Sequence, residues 1–196
     1  MNNNPALSAF VAAFAAEIIF GQVLIRRVER GFELRHVADR DADSAALRVL
    51  GEKEFRPLAQ FTADGAFRPL RSAPTLQRGW KATLRDEQAL GAALNQLYPG
   101  AVADWFATQA AQPPVTSYRE FTSRQTGMYR ITTHLDDAAV AAVIHACCHK
   151  DFCLKRRLWT VEGAAPDAAE AKSLIPCLEP CAILLEAARK AARAAG

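Results

Sequence analysis

Sulfur is nearly missing from the first 146 residues of this 196-residue chain, where only Met1 and Met128 carry it. Long apolar runs are missing too. The longest, Ala6 to Phe20, is interrupted by Ser8 and Glu17 and is too short to span a bilayer. No basic–apolar–small leader pattern opens the chain, so a cytoplasmic, non-membrane setting is expected. Neither sign of charge dominates. Lys and Arg number 24 against 21 Asp and Glu, and a net charge of +3 gives no reason by itself to expect nucleic acid. There is no Ser–His–Asp arrangement, no phosphate-cradling glycine loop and no carboxylate pair at a usable spacing. What remains is an ordinary globular composition, 51% hydrophobic and 23% charged, with enough apolar material for a core without disulfide staples.

Against that background all five cysteines fall between residues 147 and 181, as Cys147, Cys148 and Cys153, then Cys177 and Cys181. Small core fillers would not crowd into one fifth of a chain. In a reducing compartment thiols stay free, so clustered cysteines favour metal ligation over disulfides.

The chain reads as two parts of an α+β protein. Residues 5 to 18 place small and apolar residues at helical spacing as far as Gly21. Residues 22 to 38 predict a hairpin, with Val23-Leu24-Ile25 outbound, Glu29-Arg30-Gly31 as the turn and Phe32, Leu34 and His36 alternating on the return. The basic stretch from Phe55 to Trp80 holds two Arg-Pro-Leu segments, Arg56–Leu58 and Arg68–Leu70, and reads as irregular. Asp86 caps a helix through Leu97, and another helix runs from about Ala101 to Ala110. Gln112-Pro113-Pro114 breaks the chain, which divides it into an N-terminal α/β part, 1–113, and a mainly helical cysteine-rich part, 114–196.

In the second part, 115–135 reads as extended segments around Gly127. Asp136 and Asp137 stand where an N-cap belongs, before a helix with Val140, Val143, Ile144 and Cys147 on one stripe. Cys153 follows in a loop or short helix leading to Trp159. Pro180 suits a first helical position, which would put Cys177 in the approach loop and Cys181 in the first turn of a terminal helix reaching Ala195. That turn offers unpaired N–H groups and the positive end of the helix dipole to a thiolate centre. Lys150, Lys155, Arg156 and Arg157 add positive charge nearby in sequence and would form its rim.

Spacing leaves the metal open. Structural zinc sites pair cysteines two to four residues apart, and Cys148-x4-Cys153 with Cys177-x3-Cys181 sits at that edge. The bacterial ferredoxin and plant-type spacings are both absent. His145 and His149 flank the cysteine pair, though a solvated or helix-capping role is the simpler reading for each. His36 and His134 read as structural, and Trp80, Trp105 and Trp159 as core fillers.

Three stretches add a resemblance. They are Arg124–Arg130 (RQTGMYR), Cys147-Cys148 with Cys153–Trp159 (CLKRRLW), and Pro176–Cys181 (PCLEPC). They resemble the [4Fe–4S]-binding domain fused to some sirohydrochlorin cobaltochelatases. Phe32–His36, Phe67–Pro74 and Arg78-Gly79-Trp80 resemble the companion stabilising domain of the same fusions. The resemblance implies a [4Fe–4S] cluster on four thiolates, with zinc as the alternative. It also implies a redox or accessory protein of tetrapyrrole or cobalamin metabolism, whose partner is a chelatase or a redox protein. Nothing here can hold the chelatase domain, so no chelatase activity is expected of this chain alone. The other reading is a non-redox binding or scaffold module around a structural centre. Five cysteines leave one too many. Cys147 belongs to the apolar stripe and Cys148 to the helix end, so the expected ligands are Cys148, Cys153, Cys177 and Cys181, with Cys147 as the alternate to Cys148.

Overall fold

Asn4 starts helix α1 (Pro5–Ala12) by accepting from the N–H groups of Ala6 and Leu7, with proline at the first helical position. In the computed structural model, which describes residues 4–62, 64–67, 75–148, 153–168 and 173–195, this helix is shorter than its apolar spacing predicts. Its end is fixed from a distance. The Arg27 guanidinium donates to the carbonyls of Val11 at 2.6 Å and Phe14 at 3.3 Å, and stacks over the Phe14 and Phe32 rings. Residues beyond it join a strand instead, β1 (Glu17–Phe20), paired antiparallel with β2 (Val23–Val28).

The hairpin of β2 and β3 (Gly31–His36) lies where the alternation predicts it. Gly31 is required there. Its φ is +105°, and a Cβ would come within 2.0 Å of the Leu84 carbonyl oxygen. Strand β4 (Arg48–Val49) pairs parallel with β5 (Trp80–Leu84), and the mixed sheet runs β1-β2-β3-β5-β4.

The stretch after Phe55 is not wholly irregular. It contains α2 (Phe55–Gln60), which buries Phe55, Leu58 and Ala59 and sets Phe55 edge-on to Trp80. The second Arg-Pro-Leu segment, Arg68–Leu70, lies outside the described residues. Helices α3 (Glu87–Leu97), capped by Asp86 through Ala89 N–H at 2.8 Å, and α4 (Ala101–Ala107) complete this half. Their apolar faces join Phe10, Phe20, Ile25, Leu34 and Trp80 in one core.

The second half is helical where extended segments are expected. Ser117 caps α5 (Tyr118–Ser123), and a 3-10 helix spans Gly127–His134. The threonines that favour strands here bond backwards instead. Thr132 and Thr133 hydroxyls donate to carbonyls three residues earlier, and the buried Tyr118 hydroxyl donates to the Thr132 carbonyl at 3.0 Å. Helix α6 (Asp137–Cys147) is capped by Asp136 and buries Val140, Val143 and Ile144. Two short strands, β6 (Arg156–Arg157) and β7 (Pro176–Cys177), pair in parallel before α7 (Ala182–Ala195). Tyr118, Val140, Trp159, Cys177, Leu184 and Ala188 belong to the second core.

The halves interlock at the cysteine-bearing loops. Ile175, wholly buried, belongs to the first core, and Leu154 packs against it. Lys155 reaches Asp104 on α4 at 3.5 Å. The residues next to Cys153 and two before Cys177 are thus anchored in the other half.

Candidate metal centre

Each cysteine is placed by a different local device. Helix α6 carries Cys147 in its last turn and Cys148 at its C-cap, where the Cys148 N–H donates to the Ile144 carbonyl at 2.8 Å. Cys153 begins the approach to β6. The β6–β7 ladder, with Leu158 N–H donating to the Cys177 carbonyl at 3.0 Å, sets Cys177 opposite Arg157. Cys181 lies just before the helix rather than in its first turn, because the helix starts two residues after Pro180. The Leu185 N–H donates to the Cys181 carbonyl at 3.0 Å and the helix begins at Ala182, so Cys181 is the cap and Pro180 precedes it. Cys181 still sits at the positive end of a fourteen-residue helix.

Four thiols share one electrostatic neighbourhood. Burial pushes the Cys177 thiol up to about 11. The Trp159 indole bond and Lys155 work against that rise, and Cys181 and Cys153 reinforce it. Cys147 is raised first by burial, then by Cys181 and Cys153. The structure therefore couples Cys147 and Cys177 each to Cys153 and Cys181, and both Cys147 and Cys148 pack against the second core. All five cysteines are free thiols.

The basic segment after Cys153 is not an open rim. The Lys155 side chain is only 12% exposed and pairs with Asp104. Arg157 is 5% exposed. Its guanidinium donates to the carbonyls of Trp159 at 2.5 Å, Ala164 at 3.2 Å and Ala165, and stacks 5.2 Å from the Trp159 ring. Among the described residues its Nε finds no acceptor. Arg156 is half-buried. Lys150 and His149 lie outside the described residues. His145 and His134 are exposed, and His36 is buried, its Nδ1 accepting from the Ala38 N–H.

The sequence undervalues one residue. Trp159 fills the second core, but its Nε1–H also donates to Cys177 Sγ at 3.3 Å, while the Cys177 thiol donates to the Glu179 carbonyl at 3.2 Å. No local signal gives this away, because the β6–β7 register creates it.

The donor set fits an iron–sulfur centre. It is all soft sulfur, partly to fully buried, with an N–H aimed at one sulfur and a helix N-terminus at another. A single tetrahedral zinc ion would draw its thiolates to within about 3.8 Å of one another, given Zn–S bonds of about 2.3 Å. Among the described residues no three His, Cys, Asp or Glu side chains form a group that could hold a metal ion. Thiolates on a cubane each bind a different iron and stand farther apart.

Residues 110–190 match the family model of a 4Fe-4S iron-sulfur cluster binding domain, and residues 5–109 that of the DR2241 stabilising domain. A similar solved structure is DR2241 from Deinococcus radiodurans, described as a multi-domain protein with structural similarity to chelatases and two additional novel domains. It aligns with a TM-score of 0.80 and 27% identity over 97% of this chain. This chain spans 42% of that protein's length. None of the curated proteins matches. Among the described residues no helix is long and apolar enough to cross a membrane.

Proposed function

Because the chain belongs to the DR2241 stabilising-domain family through residues 5–109, we propose that it is an iron–sulfur accessory protein working beside a chelatase-type partner in tetrapyrrole or cobalamin metabolism. The observation that carries this reading is the gathering of cysteine thiols within the segment that matches a 4Fe-4S cluster binding domain. Cys153, Cys177 and Cys181 would hold a [4Fe–4S] centre. The fourth thiolate comes from the adjacent pair, where apolar periodicity favours Cys148, with Cys147 as its alternate.

Such a centre supplies one-electron transfer when bound. The chain's own residues do the rest. The start of α7 and the Trp159 N–H offset negative charge, and the second core keeps water from Cys177. The N-terminal half positions the loops through Ile175 and Leu154. The partner follows from the solved relative, in which similar domains share a chain with a chelatase-like part. Anaerobic co-purification from the native cytoplasm tests it. Recovery with a tetrapyrrole chelatase or its reductant supports the proposal, and an iron-loaded chain that retains neither would remove it.

The second reading is a purely structural centre. The interlock of the two halves favours it, since a centre there would tie α6 and α7 to loops anchored in the first core. Failure of every reductant to change the spectrum of the loaded protein would select this reading.

A further inference from the structure

The parallel pairing of β6 with β7 brings two residues to Cys177 that the ligand set does not include. Arg157 lies opposite Cys177 in the ladder, and its alternate neighbour Trp159 reaches the sulfur. Two separate contacts hold Trp159, one at its backbone and one on its ring. Arg157 holds its carbonyl at 2.5 Å and stacks on its face at 5.2 Å. The indole is 1% exposed, so no water competes for its N–H. Among the described residues the acceptor of that N–H is Cys177 Sγ, at 3.3 Å. The opposite contact of the sulfur is its own thiol proton, donated to the Glu179 carbonyl at 3.2 Å. Ligation removes the thiol proton and leaves the indole bond in place.

We propose that Trp159, held by Arg157, is a positioning residue that sets the reduction potential of the centre through its N–H to the Cys177 sulfur. This rests on the iron–sulfur reading above. A reduced centre carries one more negative charge than an oxidised one. A donor aimed at a ligand sulfur therefore stabilises the reduced form more and raises the potential. Burial strengthens the effect, because the medium around the bond is of low dielectric. The guanidinium adds positive charge of the same sense, and its stacking on the ring face supports the indole from one side.

The test uses the full chain, reconstituted anaerobically, with iron content measured before any potential. Trp159→Phe keeps the ring and removes the donor. A second variant places 3-benzothienylalanine at 159, which keeps the bicyclic shape and replaces N–H by sulfur. Both should hold iron as the parent does. At a fixed solution potential their reduced-to-oxidised ratio should drop about tenfold, a fall of ~59 mV for one electron. In the oxidised parent, the iron–thiolate bands of the resonance Raman spectrum should shift in deuterated water, and the benzothienyl protein should lose that shift. Full iron with an unchanged potential and an unchanged exchange shift would overturn the inference and leave the iron–sulfur reading standing. A parent chain that takes up no iron would overturn both.

Discussion

Ile175 and Leu174 are adjacent, yet replacing each by alanine should have opposite outcomes. Ile175 is 0% exposed and packs in the core of the N-terminal half, whereas Leu174 is 46% exposed. Trimming Ile175 to alanine removes three carbons, worth about 2.4 kcal/mol at about 0.8 kcal/mol for each buried methylene. Incomplete collapse of the cavity raises the expected loss to roughly 2–5 kcal/mol. For a chain of this size each kcal/mol moves the melting temperature by about 2–4 °C, so a loss near 3 kcal/mol should lower it by about 6–12 °C. Leu174→Ala should stay within about 0.5 kcal/mol. Ile175 is also two residues from Cys177, and its carbonyl accepts the Arg156 N–H at 2.9 Å. The same substitution should therefore reduce iron retention, which Leu174→Ala should not. The assay is paired thermal melting and iron analysis of both variants under argon. Equal melting temperatures for the two variants would refute the interlock, and loss of stability with full iron retention would refute its reach to the cysteines.

Serine at Cys153, Cys177 or Cys181 should remove most bound iron. Comparing Cys147→Ser with Cys148→Ser by iron content identifies the fourth ligand, and full iron in Cys177→Ser would dismiss this ligand set. Stripping the centre with chelator should lower the melting temperature, since a ligand bound only by the folded state adds stability; an unchanged melting curve would count against that. Asp136→Ala removes the cap of α6, whose N–H bond from Ala139 is 2.7 Å, and should cost ~0.5–2 kcal/mol in urea unfolding. Burial holds the His36 pKa below its ordinary value, with Asp39 opposing the shift and Arg78 adding to it, and Nδ1 must stay unprotonated to accept from Ala38. The unfolded chain then binds the extra proton first, so stability should decline as pH falls from about 6.5 toward the lowered native value. His36→Asn keeps an acceptor without titrating and should flatten that slope in urea midpoints; an equally steep slope would exclude His36 as its source.

The elements legible in the sequence are those specified by neighbours. Asp86 and Asp136 each stand directly before an apolar stripe, and both caps and both helices are found. The β2–β3 hairpin follows from a turn glycine between alternating residues. Elements decided by distant groups were not legible. Arg27 ends α1 from the next strand, and threonine hydroxyls bend 127–134 into a 3-10 helix against their strand preference. The cysteine grouping was plain from spacing. The inward turn of Arg157 and the indole bond to Cys177 were not, because both depend on a two-residue parallel ladder that pairs Arg156 with Pro176 and Arg157 with Cys177. A basic run reads as surface until its register is known.

The iron–sulfur reading places a four-iron cluster on cysteine thiolates of the C-terminal half. The most direct measurement is iron, acid-labile sulfide and zinc per chain in anaerobically purified protein, with the visible spectrum before and after dithionite. About four iron and four sulfide per chain are expected, with a brown colour that bleaches on reduction. One zinc per chain in a colourless protein, unchanged by dithionite, would contradict it.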